Sequence, residues 1–155
     1  IVGGLKCGMD VSVACPEGYD PDQRVLDFAK SDPSHKFSLV RTTQEAAVGA
    51  DVVFTDVWAS MGEEAQIPER VGLLSPFRGT MDTLKATENP DVLYLHCLPS
   101  FHDFETKMAK EWQAKGVDIR EVTDEVFRSR HSVVFDEAEN RMHSIKAVMV
   151  ATIGA

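Results

Sequence analysis

Residues 91–99 read Asp91-Val92-Leu93-Tyr94-Leu95-His96-Cys97-Leu98-Pro99, an apolar run closed by a histidine, a cysteine and a proline. A run that is apolar at consecutive positions predicts a strand covered on both faces, as in a parallel sheet, so Asp91 to Leu98 is expected to be one. Working outward, similar short runs stand at Val11 to Cys15, Phe37 to Arg41 and Asp51 to Val57, with a last one at Ser132 to Phe135. Helical patterns separate them. Asp20-Pro21 suits the start of a helix that buries Val25, Phe28 and Ala29. Thr42 with Glu45 has capping-box spacing for a helix ending near Gly49. Short helices are expected around Pro68 to Leu74 and Thr80 to Thr87. A longer one, Glu105 to Lys115, presents Met108 and Trp112 and stops at Gly116, and a final one from Ala138 to Ile153 carries Met142, Ile145, Val148, Met149, Thr152 and Ile153 on one stripe. Strands alternating with helices predict an α/β fold: a doubly wound, mostly parallel, Rossmann-like sheet with helices on both faces.

Composition narrows the function. The 155 residues hold 16 Lys and Arg against 25 Asp and Glu, a net charge of −9, which argues against a general nucleic-acid binder because phosphate binding needs a basic face. No apolar run approaches the roughly 18 residues a membrane helix needs. Three cysteines, Cys7, Cys15 and Cys97, make no paired framework and suggest a reducing, cytoplasmic setting. Gly3, Gly4 and Gly8 do not form a dinucleotide loop and no phosphate-binding loop occurs, so no cofactor is implied. A small molecule or another protein is the expected partner.

In a doubly wound sheet, ligands bind beyond the carboxyl ends of the strands. Two ends are chemically unusual here. One is Asp56-Val57-Trp58-Ala59-Ser60-Met61-Gly62, and the other is His96-Cys97-Leu98-Pro99. With the tail Asp136-Glu137-Ala138-Glu139-Asn140-Arg141-Met142-His143, they resemble the ornithine carbamoyltransferase family, whose motifs are D-x-x-x-S-M-G, H-C-L-P and an arginine opening the last helix. The resemblance implies that residues 1–155 are an ornithine-binding domain lacking its first strand, that the carbamoyl-phosphate domain is absent, and that the helix 138–153 packs on that domain. It implies transfer of the carbamoyl group of carbamoyl phosphate to the side-chain amine of L-ornithine, giving citrulline and phosphate. A homotrimer or an assembly of trimers is expected, and the isolated fragment should be inactive.

Each motif residue also has a plainer reading. A carboxylate at a strand end is commonly a cap, whereas the resemblance gives Asp56 to ornithine. Ser60 and Met61 could be a loop hydroxyl and ordinary packing, whereas the family makes them part of the loop over ornithine. Buried cysteine is usually an inert hydrophobe, whereas the resemblance sets Cys97, with Leu98, beside the reacting amine and carbamoyl group. His96 is adjacent, but neighbours in a strand point to opposite faces, which disfavours covalent catalysis by Cys97. Arg141 could be solvated, whereas the family directs its guanidinium to carbamoyl phosphate. His96, Cys97, His102 and Asp103 crowd together, yet without a second contributing segment they do not read as a metal site. The competing readings are a carbamoyltransferase for another amine or amino acid, and a non-catalytic doubly wound binding module.

Overall fold

The computed structural model describes residues 1–31, 33–60 and 62–154. In chain order the elements are α1 (Val2–Lys6), β1 (Val11–Ala14), α2 (Gln23–Ser31), β2 (Phe37–Val40), α3 (Thr43–Ala47), β3 (Val52–Thr55), α4 (Ile67–Leu74), α5 (Met81–Lys85), β4 (Leu93–His96), α6 (Lys107–Ala114), α7 (Asp124–Phe127) and α8 (Val134–Ile153), with 3-10 turns at Glu64–Gln66 and Ser75–Phe77. The pairings are parallel and the connections helical, which is the doubly wound α/β class expected from the sequence. Among the described residues the strands form two separate pairs. In one, β1 lies beside β2, Val11 opposite Phe37 through Ala14 opposite Val40. In the other, β3 lies beside β4, Val52 opposite Leu93 through Thr55 opposite His96. A cleft of about 410 Å³ opens between the pairs, lined by Ser12 and Ala14 of β1 and by Val52 and Phe54 of β3.

Local chemistry explains the elements. Thr42 caps α3 by accepting from the Glu45 amide at 3.2 Å, while its hydroxyl donates to the Glu45 carboxylate at 2.8 Å. Thr80, Thr106 and Thr123 cap α5, α6 and α7 in the same way. At α2 the carboxylate that receives a backbone amide is Asp22, from Arg24, and Asp20 is engaged instead by Arg41 at 2.7 Å. The main core gathers Leu84, Val92, Tyr94, Val122, Val126, Phe127 and Val134. A second cluster of Ile67, Ala109 and Ile119 packs with Phe101, Met108 and Trp112. Gly79 lies against the main core: a Cβ there would stand 3.1 Å from the Tyr94 hydroxyl and 3.3 Å from Val122, so the close approach depends on its missing side chain.

The structure departs from the sequence reading in two places that bear on the site. The run Ser132 to Phe135 is not a strand. Ser132 makes one parallel bridge to Tyr94, the Val133 amide donates to the Tyr94 carbonyl, and α8 begins at Val134. The β-branched residues there follow tertiary packing, since Val134 is buried in the core. Consequently Arg141 stands two turns into α8 and does not open it. Strand β4 is also covered on one face more than the other: Tyr94 and His96 are fully buried, while Leu93 is 43% exposed.

Candidate active site

The register of one strand pair assembles the site. Thr55 and His96 are partners at the carboxyl ends of β3 and β4, so the residues that follow each strand, Asp56 and Cys97, emerge side by side. The Cys97 thiol donates to Asp56 Oδ1 at 2.9 Å. Burial, then the Asp56 carboxylate beside it, pushes the Cys97 pKa up to about 11, so the group is a thiol at neutral pH and not a thiolate. The His96 side chain points elsewhere: its Nδ1 lies 2.6 Å from the Cys97 carbonyl oxygen, and its Nε2 is directed toward Glu121.

Beside Cys97 opens a cavity of about 370 Å³, lined by Ser60, Cys97, Leu98, Phe101, Met108 and Glu121 among others. Ser60 and Leu98 therefore reach the same space as Cys97. Asp56 faces the cleft between the strand pairs, so the hydrogen-bonded Asp56 and Cys97 join the two openings. Met61 lies outside the described residues. Arg141 is exposed on α8 and lines neither opening; its carbonyl accepts from the Ser144 hydroxyl at 3.1 Å, while its guanidinium has no hydrogen-bond or ion-pair partner among the described residues.

Behind the strand ends lies a buried polar layer that the motifs do not announce. Glu121 is 2% exposed and accepts from the Phe101 amide at 2.6 Å. Burial raises its pKa to about 7. His96 is fully buried, and burial lowers its pKa. Their 3.7 Å approach is too long for a hydrogen bond, and burial favours the neutral form of each, so this is a polar contact and not a salt bridge. Glu137, on the first turn of α8, accepts from the His96 amide at 3.0 Å and ties that helix to the end of β4. Sequence reasoning missed Glu121; in Val117-Asp118-Ile119-Arg120-Glu121-Val122 it stands beside Asp118 and Arg120 and nothing in the sequence sets it apart from an ordinary solvated charge.

His102 stacks on Phe127 at 3.7 Å between ring centroids and bonds Asp124 at 2.7 Å. His102, Asp103 and Asp124 place donor atoms within 4.8 Å of one another. Arg128 already pairs with Asp124 at 2.8 Å and with Asp103 at 3.5 Å, which counters their charge without an ion.

Parallel strands joined by helices, with a carboxylate and a thiol level just past two strand ends, are the features of a doubly wound α/β domain at the end where such domains take ligands. The description "Aspartate/ornithine carbamoyltransferase, Asp/Orn binding domain" matches residues 1–152, and the chain belongs to that family. It is 52% identical over 155 residues to the catabolic ornithine carbamoyltransferase of Bacillus cereus strain ATCC 14579, covering 99% of this chain and 46% of that protein. It is 48% identical over 158 residues to the catabolic ornithine carbamoyltransferase of Clostridium perfringens strain 13, covering 98% and 47%. The ornithine carbamoyltransferase structure from Pyrococcus furiosus superposes with a TM-score of 0.81 at 39% identity, covering 99% of this chain and 45% of that one. The chain thus spans about half the length of the relatives it matches. No described helix is long and apolar enough to cross a membrane.

Proposed function

We propose that the chain is the ornithine-binding half of a carbamoyltransferase that makes citrulline and phosphate from L-ornithine and carbamoyl phosphate. The observation that carries this is the contact between Asp56 and Cys97, which joins the family's two ornithine motifs at a single point of the fold. In the reaction the side-chain nitrogen of ornithine bonds to the carbonyl carbon, the bond from that carbon to the phosphate oxygen breaks, and the amine gives up a proton. The attacking amine must first be neutral. With lysine's pKa of about 10.4 as a guide, that costs roughly 5 kcal/mol at pH 7.

Asp56 is placed to accept from the amine and Cys97 to contact it, so both orient the nucleophile without covalent chemistry. Ser60 and Met61 belong to the loop over ornithine, while Leu98 and Arg141 serve carbamoyl phosphate. The developing oxyanion and the departing phosphate are held by Arg141 and by groups on the part of the enzyme that this chain does not span. The cleft between β1 and β3 takes a further parallel strand from that part, and the residues 138–153 of α8 pack on the carbamoyl-phosphate domain. The assembly is a cytoplasmic homotrimer or a set of trimers, it needs no metal or cofactor, and the chain alone is inactive. Both Bacillus cereus and Clostridium perfringens relatives carry the description catabolic, which favours service in arginine breakdown, the arginine deiminase pathway.

The test is to join this chain to the N-terminal half of the Bacillus cereus relative and measure citrulline formation. Ornithine should be carbamoylated far better than putrescine, which would leave the polar groups meant for an α-carboxylate and α-amine unpaired. Asp56→Asn should strongly weaken ornithine use, and Cys97→Ala should lower turnover without abolishing it. Equal turnover of the two amines, or a carbamoyl thioester trapped on Cys97, would overturn the reading.

A further inference from the structure

Between the end of β3 and the start of α4, a single guanidinium grips both sides of the loop that carries Ser60. Arg70, on α4, donates to the Trp58 carbonyl at 2.9 Å, ahead of the loop. It also takes Glu63, behind the loop, in a two-pronged ion pair at 2.8 and 3.1 Å, and reaches Gln66 at 2.7 Å. Glu63 passes the constraint on. Its carboxylate accepts from the Ser60 amide at 3.1 Å, and its own amide donates to the Ser60 carbonyl at 3.0 Å. Both backbone polar groups of Ser60 are therefore fixed to one residue, which is fixed to Arg70. The pair holds the Glu63 carboxyl below its ordinary pKa, with Arg70 the leading cause.

We infer that Arg70, acting through Glu63, is a positioning residue that sets where the Ser60 loop meets the amino-acid substrate. Ser60 is exposed and lines the cavity with Cys97, so a shift of its backbone moves the loop's contacts with whatever occupies that space. The forked geometry matters more than the charge. One nitrogen, Nη1, bonds both the Trp58 carbonyl and Glu63, which an ammonium could imitate, but the second prong from Nη2 to the other Glu63 oxygen and to Gln66 needs the planar fork. Since Asp56 and Cys97 are held by the strands, loosening the loop should weaken amino-acid binding before it affects the chemical step.

This inference rests on the proposed ornithine reading, and the two fail in different ways. The unsubstituted joined enzyme tests the reading: no citrulline from ornithine ends it. The positioning role is tested in that enzyme with Arg70→Met, Arg70→Lys, Glu63→Gln and the Arg70→Met/Glu63→Gln double variant. Arg70→Met should raise KM for ornithine by roughly tenfold or more, with kcat within about threefold and KM for carbamoyl phosphate unchanged. Arg70→Lys should fall between it and the parent. The double variant should be no worse than the poorer single one, because both remove the same link. Glu63→Gln keeps the test open if the Arg70 variants fold poorly, since Glu63 is a partly exposed loop residue with side-chain exposure of 37%. Equal losses in kcat and in both KM values would mark a purely structural role, and an unchanged ornithine KM in Glu63→Gln or additive effects in the double variant would equally overturn the inference.

Discussion

Replacing Glu121 by glutamine should change how stability depends on pH, because the carboxyl is held in a place that disfavours its charge. Its pKa in the fold is about 7 against an ordinary 4.5, and burial is the main cause. Between these values the native state keeps a proton that the unfolded chain has lost, so unfolding becomes easier as pH rises. At about 1.36 kcal/mol per pH unit, a gap of about 2.5 units amounts to roughly 3 kcal/mol lost between pH 4.5 and 7, with no further loss above that. His96 acts in the opposite sense, since burial lowers its pKa and its contribution grows as pH rises toward the ordinary histidine value. Comparing Glu121→Gln with the parent cancels this, as both keep His96. Urea unfolding at pH 5, 6, 7 and 8 should show the variant gaining on the parent by about 2.5 kcal/mol across the series, most of it below pH 7. A difference that stays constant from pH 5 to 8, or that narrows as pH rises, would refute the placement of a protonated carboxyl beneath the site.

Iodoacetamide at pH 7 should label Cys97 much more slowly than the exposed Cys7, because the Cys97 thiol titrates near 11; Asp56→Asn should speed it, and equal labelling of the two cysteines in the parent would contradict the contact. Tyr94→Phe removes the part-buried hydrogen bond between the fully buried Tyr94 and the Thr55 hydroxyl, and should lower the urea unfolding free energy by about 1 kcal/mol; no change would show that the bond contributes nothing. The face of α8 bearing Met142, Ile145, Val148, Met149 and Ile153 is exposed throughout, and at about 25 cal/mol per Å² its coverage is worth several kcal/mol. The chain alone should therefore sediment as oligomers that shrink when residues 138–155 are removed, and a monodisperse monomer would speak against it.

The residues that make strands were legible where apolar runs were dense, as at Phe37 to Val40 and Val52 to Thr55. Their ends were overestimated by a residue or two, because the apolar pattern runs on through Cys15, Val57, Cys97 and Leu98, past the last residues of the strands. Helix α1 escaped notice since Gly3 and Gly4 are poor helix formers; it is held by buried Leu5 and by the tight seat of Gly4, where a Cβ would come within 2.9 Å of Val11. The four residues of α7 were too few to show a period. Ser132 to Phe135 has strand-forming residues but only a single bridge to use them. At the site, Asp56 and Cys97 were readable because each closes an apolar run in a motif. Glu121, Glu137 and Arg70 were not, because their roles come from partners far along the chain or from loop geometry that no periodicity reports.

The rungs joining β3 to β4 also act as a vernier for the chemistry. A slip of one residue in that pairing would carry Asp56 about 3.3 Å along the strand from Cys97 and turn the slipped strand's side chains to the opposite face. The stretch from Val57 to Val92 carries the Ser60 loop, Arg70 and core residues of its own, but it is the paired segments at either end that keep Asp56 level with Cys97. The level meeting of Asp56 and Cys97 is in this sense a property of alignment as well as of the two side chains, and substitutions at Val53 or Leu95, within the paired segments, are where a misaligned but folded chain would originate.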